Sequence, residues 1–205
     1  MSQDMSTTSP ITQPSQSIPK FTSVNPSQNS GVAKYYNSIS TTEHSRLITN
    51  RVEFEISLRT ILAHLPKSKE GQGLKIADIG GGTGRYAVQL AKLGHQITLL
   101  DISHSELDLA AQHAQDSGVV LDGIYHADAS ALFETCPALL SQIGTFDAVL
   151  LLGPLYHLLQ EEERVAALRD AGKLLKPLQV VLRMERRERR RVVSYSQHSS
   201  RRLAI

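Results

Sequence analysis

The 205-residue chain has one cysteine, no tryptophan and no run of eighteen apolar residues. A lone Cys136 excludes an internal disulfide and any metal site built from several cysteines. It fits a reducing, cytoplasmic setting. Without a long apolar run, no membrane-crossing helix is expected. The opening MSQDMSTTSP has neither a basic start nor an apolar stretch, so it carries no readable secretory signal. Large apolar side chains are also scarce in residues 1–30, where 20 of 30 are Ser, Thr, Gln or Pro. Such a segment buries too little surface to offset its ordering entropy, and a disordered leader is expected. His44, His64, His95, His104 and His113 show no ligand spacing, so no metal is expected.

What remains is a soluble globular balance, 40% hydrophobic and 20% charged. The net charge of +2 is unevenly spread. Residues 178–205 hold eight arginines against Glu185 and Glu188, a net of +6, whereas residues 1–177 carry −4. An acidic body therefore ends in a basic tail, and one pI describes neither.

Phe54, Leu58, Ile61, Leu62 and Leu65 recur at helical spacing and Pro66 stops the run, which predicts a helix from Arg51. Strands and helices then alternate. Lys75–Ile79 and Gln96–Leu100 read as strands, with a helix after Gly84 capped by Gly94. Ser103 and Glu106 make an S-x-x-E box that opens a helix burying Leu107, Ala110, Ala111 and Ala114. Val119–Tyr125 reads as the third strand, residues 130–142 as a short helix, and Phe146–Leu152 as the fourth strand. Glu161–Glu163 start a further helix whose end holds Lys173 and Lys176, as the helix dipole favours. Its predicted buried stripe is Val165, Leu168, Ala171 and Leu175. This alternation predicts an α/β fold, a doubly wound, mostly parallel sheet. Ligands bind such sheets beyond the carboxyl ends of the strands.

Those ends carry the informative residues. The first is Asp78-Ile79-Gly80-Gly81-Gly82-Thr83-Gly84. Arg85 in place of lysine excludes a P-loop, but Gly82-x-Gly84-x-x-Ala87 satisfies the looser dinucleotide pattern. The second strand ends at Asp101, which can accept bonds from both hydroxyls of a ribose. The third ends His126-Ala127-Asp128-Ala129, where Asp128 either receives an adenine amine or makes an Asx turn. The fourth ends Leu152-Gly153-Pro154-Leu155-Tyr156-His157, and its Gly-Pro turns the following residues over the site. Tyr156 and His157 are candidates for a general base or an orienting group, or for packing alone.

Together these ends resemble the class I S-adenosylmethionine-dependent methyltransferases, with their Rossmann-like fold. Asp78, Gly80, Gly82 and Gly84 match the D-x-G-x-G-x-G motif in register. The segment LLGPLYHL, the acidic helix ending LLKP, Tyr35-Tyr36 and the Arg51–Pro66 helix resemble a branch with small-molecule acceptors. The likeness runs from about Val32 to Pro177. It implies S-adenosyl-L-methionine as cofactor. Gly80, Gly82 and Gly84 would admit its methionine and ribose, Asp78 would hold the ammonium, and Asp101 the ribose hydroxyls. Ile102 would pack on adenine, Asp128 and Ala129 would meet its edge, and Leu152 and Gly153 would floor the reactive methyl. Tyr35 and Tyr36 would close over the cofactor or pack the first helix. The implied activity is O- or N-methylation of a small molecule, as in specialised metabolism. The alternatives are an NAD-dependent oxidoreductase, or a cofactor-binding remnant with a partner-binding basic tail.

Three segments are expected: a leader over 1–30, the cofactor-binding domain over 31–177 and a divergent tail over 178–205. After Lys176-Pro177 the family's Gly-Gly turn is absent, and Val180–Met184 runs straight into ERRERRR. The closing antiparallel strands are therefore expected to be missing and the acceptor wall incomplete. The tail reads as a change of frame or exon, as a helical arginine-rich extension, or as a basic segment for nuclear import or nucleic-acid contact.

Overall fold

The computed structural model describes residues 31–35, 51–67, 72–185 and 191–196, with backbone alone for 178–180, 184–185 and 191–196. The strands are β1 (Lys75–Ile79), β2 (Gln96–Asp101), β3 (Gly123–His126), β4 (Phe146–Leu151), β5 (Leu175–Glu185) and β6 (Arg191–Ser196). The helices are α1 (Arg51–His64), α2 (Arg85–Lys92), α3 (His104–Asp116) and α4 (Glu161–Leu174), with a helical turn at residues 31–35.

The sheet order is β3-β2-β1-β4-β5-β6, parallel except for the β5–β6 pair. Successive side chains of a strand point to opposite faces, and the central strands show it. Ile76 of β1 and Ala148 and Leu150 of β4 pack on one face with Ile61, Ala87, Leu90, Leu107 and Ala110 of α1–α3. Ala77, Ile79, Val149 and Leu151 pack on the other with Ala167, Ala171 and Leu174 of α4. Both faces are covered, which is why these strands read as continuous apolar runs. Each fully buried leucine contributes about 1.5–3 kcal/mol. The order reverses between β1 and β4, so a crevice opens beyond their carboxyl ends.

Several details depart from the sequence expectations. The third strand starts at Gly123, because Val119 N–H still bonds Ala114 O at 3.0 Å as the last turn of α3, and Gly118 then adopts φ +67°. Residues 129–142 form three short helical segments rather than one helix, since Pro137 has no N–H to offer and Cys136 leaves helical geometry at φ −134° and ψ 75°. α4 ends at Leu174, so Lys176 lies in β5, its Nζ 2.7 Å from Asp147 Oδ1. The inward stripe of α4 is Ala167, Asp170, Ala171 and Leu174, and Val165 is 38% exposed. On α1 the buried positions are Ser57 and Ile61, and Leu62 faces outward. The fifth strand is longer than Val180–Met184, and an antiparallel sixth strand pairs with it from Val180↔Ser196 to Glu185↔Arg191. The expected loss of every antiparallel strand and the helical tail are both corrected there. The leader, Tyr36, His44 and residues 197–205 lie outside the described residues. Among the described residues no helix is long and apolar enough to cross a membrane.

Candidate functional site

The turn between β1 and α2 forms one wall of the crevice. Gly80, Gly82 and Gly84 all have positive φ, at 71°, 53° and 72°, a region that side chains with a Cβ resist. Gly80 and Gly81 N–H both donate to Leu100 O, at 2.7 and 3.1 Å, which staples the turn to the end of β2. A Cβ on Gly80 would lie 2.3 Å from Pro154 Cγ, so this glycine admits the Gly153-Pro154 turn that follows β4. Gly84 serves packing instead, because a Cβ there would stand 3.2 Å from Ala110 Cβ on α3.

Asp101 ends β2 within the crevice, 9% exposed. Gly82 N–H donates to its Oδ2 and Ser103 N–H to its Oδ1, each at 2.9 Å. The carboxylate is thus oriented from two sides while keeping further acceptor capacity. Burial pushes its pKa up, and the bonds from Ser103, Gly82 and Ile102 pull it back. Ser103 then caps α3 through the Glu106 N–H, at 3.3 Å. Asp128 makes the Asx turn that the sequence left open. Its Oδ1 accepts Ser130 N–H at 2.9 Å and Ser130 Oγ–H at 2.7 Å, and it still lines the crevice.

These pieces line a cleft partly open to solvent. Of the residues expected from sequence, Gly80, Asp101, Ile102, Asp128, Ala129 and His157 line it. Asp78, Gly82, Gly84, Leu152, Gly153 and Tyr156 stand behind or beside that lining. Tyr156 is 38% exposed and its ring tilts against His157, centroids 4.4 Å apart. The sequence reading missed Val32, Ala127, Pro154 and Leu158, which also line the cleft. Pro154 and Leu158 sit in the LLGPLYHL segment and were within reach. Val32, in the helical turn at 31–35, had no spacing signal. Tyr35, nearby, is 57% exposed. Three histidines serve structure: His95 Nδ1 accepts Leu74 N–H, and His126 Nε2 donates to Ile102 O while its ring stacks on His104.

Beneath the turn lies Asp78, 2% exposed, with its Oδ2 buried and without a hydrogen-bond partner. A Cβ on Gly81 would come within 2.8 Å of that oxygen. Burial, then the neighbouring Asp101 charge, raises its pKa to about 7. A raised carboxyl contributes stability that is complete below its unfolded value of 3.8 and is lost as pH rises through about 7. The ceiling is on the order of 4 kcal/mol, at about 1.4 kcal/mol per pH unit. His95 and His126, whose pKa values burial lowers, act in the opposite sense. Urea titrations of wild type and Asp78→Asn isolate the carboxyl. Asp78→Asn is expected to gain stability relative to wild type between pH 5 and 8, and a pH-independent difference would overturn the account.

The donor set fits a cationic nucleoside. Asp101 and Asp128 line the cleft, Asp78 lies buried behind its glycine wall, and Ile102, Ala127, Ala129 and Leu158 offer apolar surface. Among the described residues no lysine or arginine lines it. A pyrophosphate there would rest on the backbone N–H groups of the glycine turn alone, beside buried acid, whereas a cationic ligand gains from that acid.

Comparison with known proteins agrees. Residues 76–178, half of the chain, match the family described as Methyltransferase domain. A ubiquinone biosynthesis O-methyltransferase of Methylocella silvestris is 35% identical over 106 residues, covering 52% of this chain and 37% of that protein. The chain thus spans well under half of that relative's length. A tRNA 5-carboxymethoxyuridine methyltransferase of Escherichia coli is 44% identical over 48 residues, covering 23% of this chain and 18% of that protein. Among solved structures, magnesium protoporphyrin IX methyltransferase of Synechocystis, with bound SAH, superposes with a TM-score of 0.61 at 22% identity. It covers 77% of this chain and 71% of that one, a likeness of fold. With the acidic strand-end cleft, the switch point between β1 and β4 and the matched segment all in agreement, the chain belongs to the class I S-adenosylmethionine-dependent methyltransferase family.

Proposed function

We propose that the chain binds S-adenosylmethionine in this cleft and transfers its methyl group to an oxygen or nitrogen of a small molecule. The observation that carries the reading is the acidic cleft, lined by no arginine among the described residues and backed by the unpartnered Asp78 Oδ2. Asp101 would bind the ribose hydroxyls, and Ile102 and Ala129 would flank the adenine with Asp128 at its edge. Asp78 would face the ammonium, and Leu152 and Gly153 would floor the reacting centre. Bound S-adenosylmethionine supplies an already activated methyl group, so the chain's own task is alignment and, where the acceptor carries a proton, its removal. Relatives aligned over about half of the chain are named for ubiquinone biosynthesis, which supports a small acceptor over tRNA.

His157 lines the cleft and Tyr156 does not, so His157 takes the proton in this reading. His157→Ala is expected to lower kcat by about 10²–10⁴ while the cofactor dissociation constant stays within about threefold. Methyl transfer from labelled cofactor to phenol and amine acceptors reads the first, and calorimetry the second. Calorimetric titration with S-adenosylmethionine, S-adenosylhomocysteine and NAD tests the reading itself. Binding of NAD alone would overturn it.

A further inference from the structure

Arg164 lies in the first turn of α4, half-buried. Its Nη1 donates to the carbonyl oxygens of Leu158 at 2.8 Å and Leu159 at 2.9 Å. Those carbonyls belong to the link between the Pro154–Tyr156 turn and α4. On the other side of the same link, His157 and Leu158 N–H both converge on Pro154 O, at 2.9 and 3.3 Å. The link is thus tied by its amides to the turn after β4 and by its carbonyls to α4. Side-chain packing cannot do this alone: Leu159 is 82% exposed, so only Leu158, 5% exposed, anchors the segment by burial. α4 is a firm mooring, because Ala167, Ala171 and Leu174 are fully or almost fully buried.

We infer that Arg164 is a positioning residue that holds Leu158 and His157 against the cleft. The inference rests on the proposed reading that this cleft takes the cofactor. Arg164 reaches the ligand only through the backbone it holds. A guanidinium suits the task because its charge-assisted donors are rigidly arrayed. Lysine carries the same charge on a flexible stem and can restore only part of the tie.

The test uses the full chain as wild type, Arg164→Lys, Arg164→Met, which keeps the apolar stem, and Arg169→Met as a control on the exposed side of α4. Two quantities are measured well below the melting midpoint: S-adenosylhomocysteine affinity by calorimetry, and amide hydrogen exchange at His157 and Leu158 against that of β4. Arg164→Met is expected to bind about tenfold more weakly, about 1.4 kcal/mol, and to exchange about tenfold faster at His157 and Leu158. β4 is expected to be unchanged, Lys to fall between, and Arg169→Met to match wild type. Unchanged exchange overturns the inference, and so does faster exchange with unchanged affinity, because the tie is then only structural. If Arg164→Met fails to fold, Arg164→Lys decides by the same two readouts. If wild type does not bind S-adenosylhomocysteine, the proposed function falls, and the exchange comparison still decides whether Arg164 holds the link.

Discussion

Gly80→Ala is expected to lose more than about a hundredfold in cofactor affinity, beyond 2.7 kcal/mol, and to unfold at lower denaturant. Two costs add. The backbone at φ +71° lies where a residue with a Cβ is strained, at about 1–2 kcal/mol. The new Cβ would also stand 2.3 and 2.5 Å from Pro154 Cγ and Cδ. A proline ring cannot rotate aside as a flexible chain end could. The turn after β4 must shift, carrying with it Pro154, His157 and Leu158, all of which line the cleft. Gly94→Ala is the matched control. Its φ is +87° but nothing lies within 4 Å of the added carbon, so it is expected to lose stability and keep its affinity. Shortening the obstacle with Pro154→Ala in the Gly80→Ala background is expected to recover part of the binding. Calorimetry on the four chains reads all of this, and Gly80→Ala binding within threefold of wild type would remove the turn from the site.

The second large effect is at Asp101. Asp101→Ala is expected to weaken cofactor binding at least tenfold, because each bond to an ionised carboxylate is worth roughly 1.5–3 kcal/mol. The structure adds a second loss. The same carboxylate accepts Gly82 and Ser103 N–H, so truncation leaves two backbone donors without their partner and loosens the glycine turn. Asparagine does not repair this, since its amide nitrogen would face one of those donors. Both variants should therefore melt lower as well as bind more weakly. Unchanged affinity in Asp101→Ala would sink the ribose assignment, whatever happened to its melting.

Much of this was legible because strand ends are local. The apolar runs Lys75–Ile79 and Phe146–Leu151 and the glycines between them declare a strand and a left-handed turn without help from distant residues. Asp101 follows from where β2 stops. Tertiary effects account for what escaped. The start of β3 depends on α3 extending its last bond to Val119, which periodicity does not show. β6 depends on pairing with β5 across a charged connection, and an arginine-rich sequence suggests an extended or helical tail before it suggests a strand partner. Val32 reaches the cleft from an element far away in sequence. The Asp128 alternatives could not be separated by sequence because one carboxylate has room for both roles: Oδ1 makes the turn and the residue still lines the cleft.

If the cofactor's ammonium seats beside Asp78 as proposed, the buried carboxyl under the glycine turn would make ligand capture a proton exchange. With its pKa pushed up to about 7 by burial and by the Asp101 charge, Asp78 would be largely protonated in mildly acidic solution. A cation arriving beside it favours the ionised form and expels that proton. The heat of binding then depends on which buffer takes up the proton. Apparent affinity would climb by up to about tenfold per pH unit on the acid side of 7 and level off above it. A cell that acidifies would thereby slacken this protein's hold on its cofactor before any part of the fold had moved.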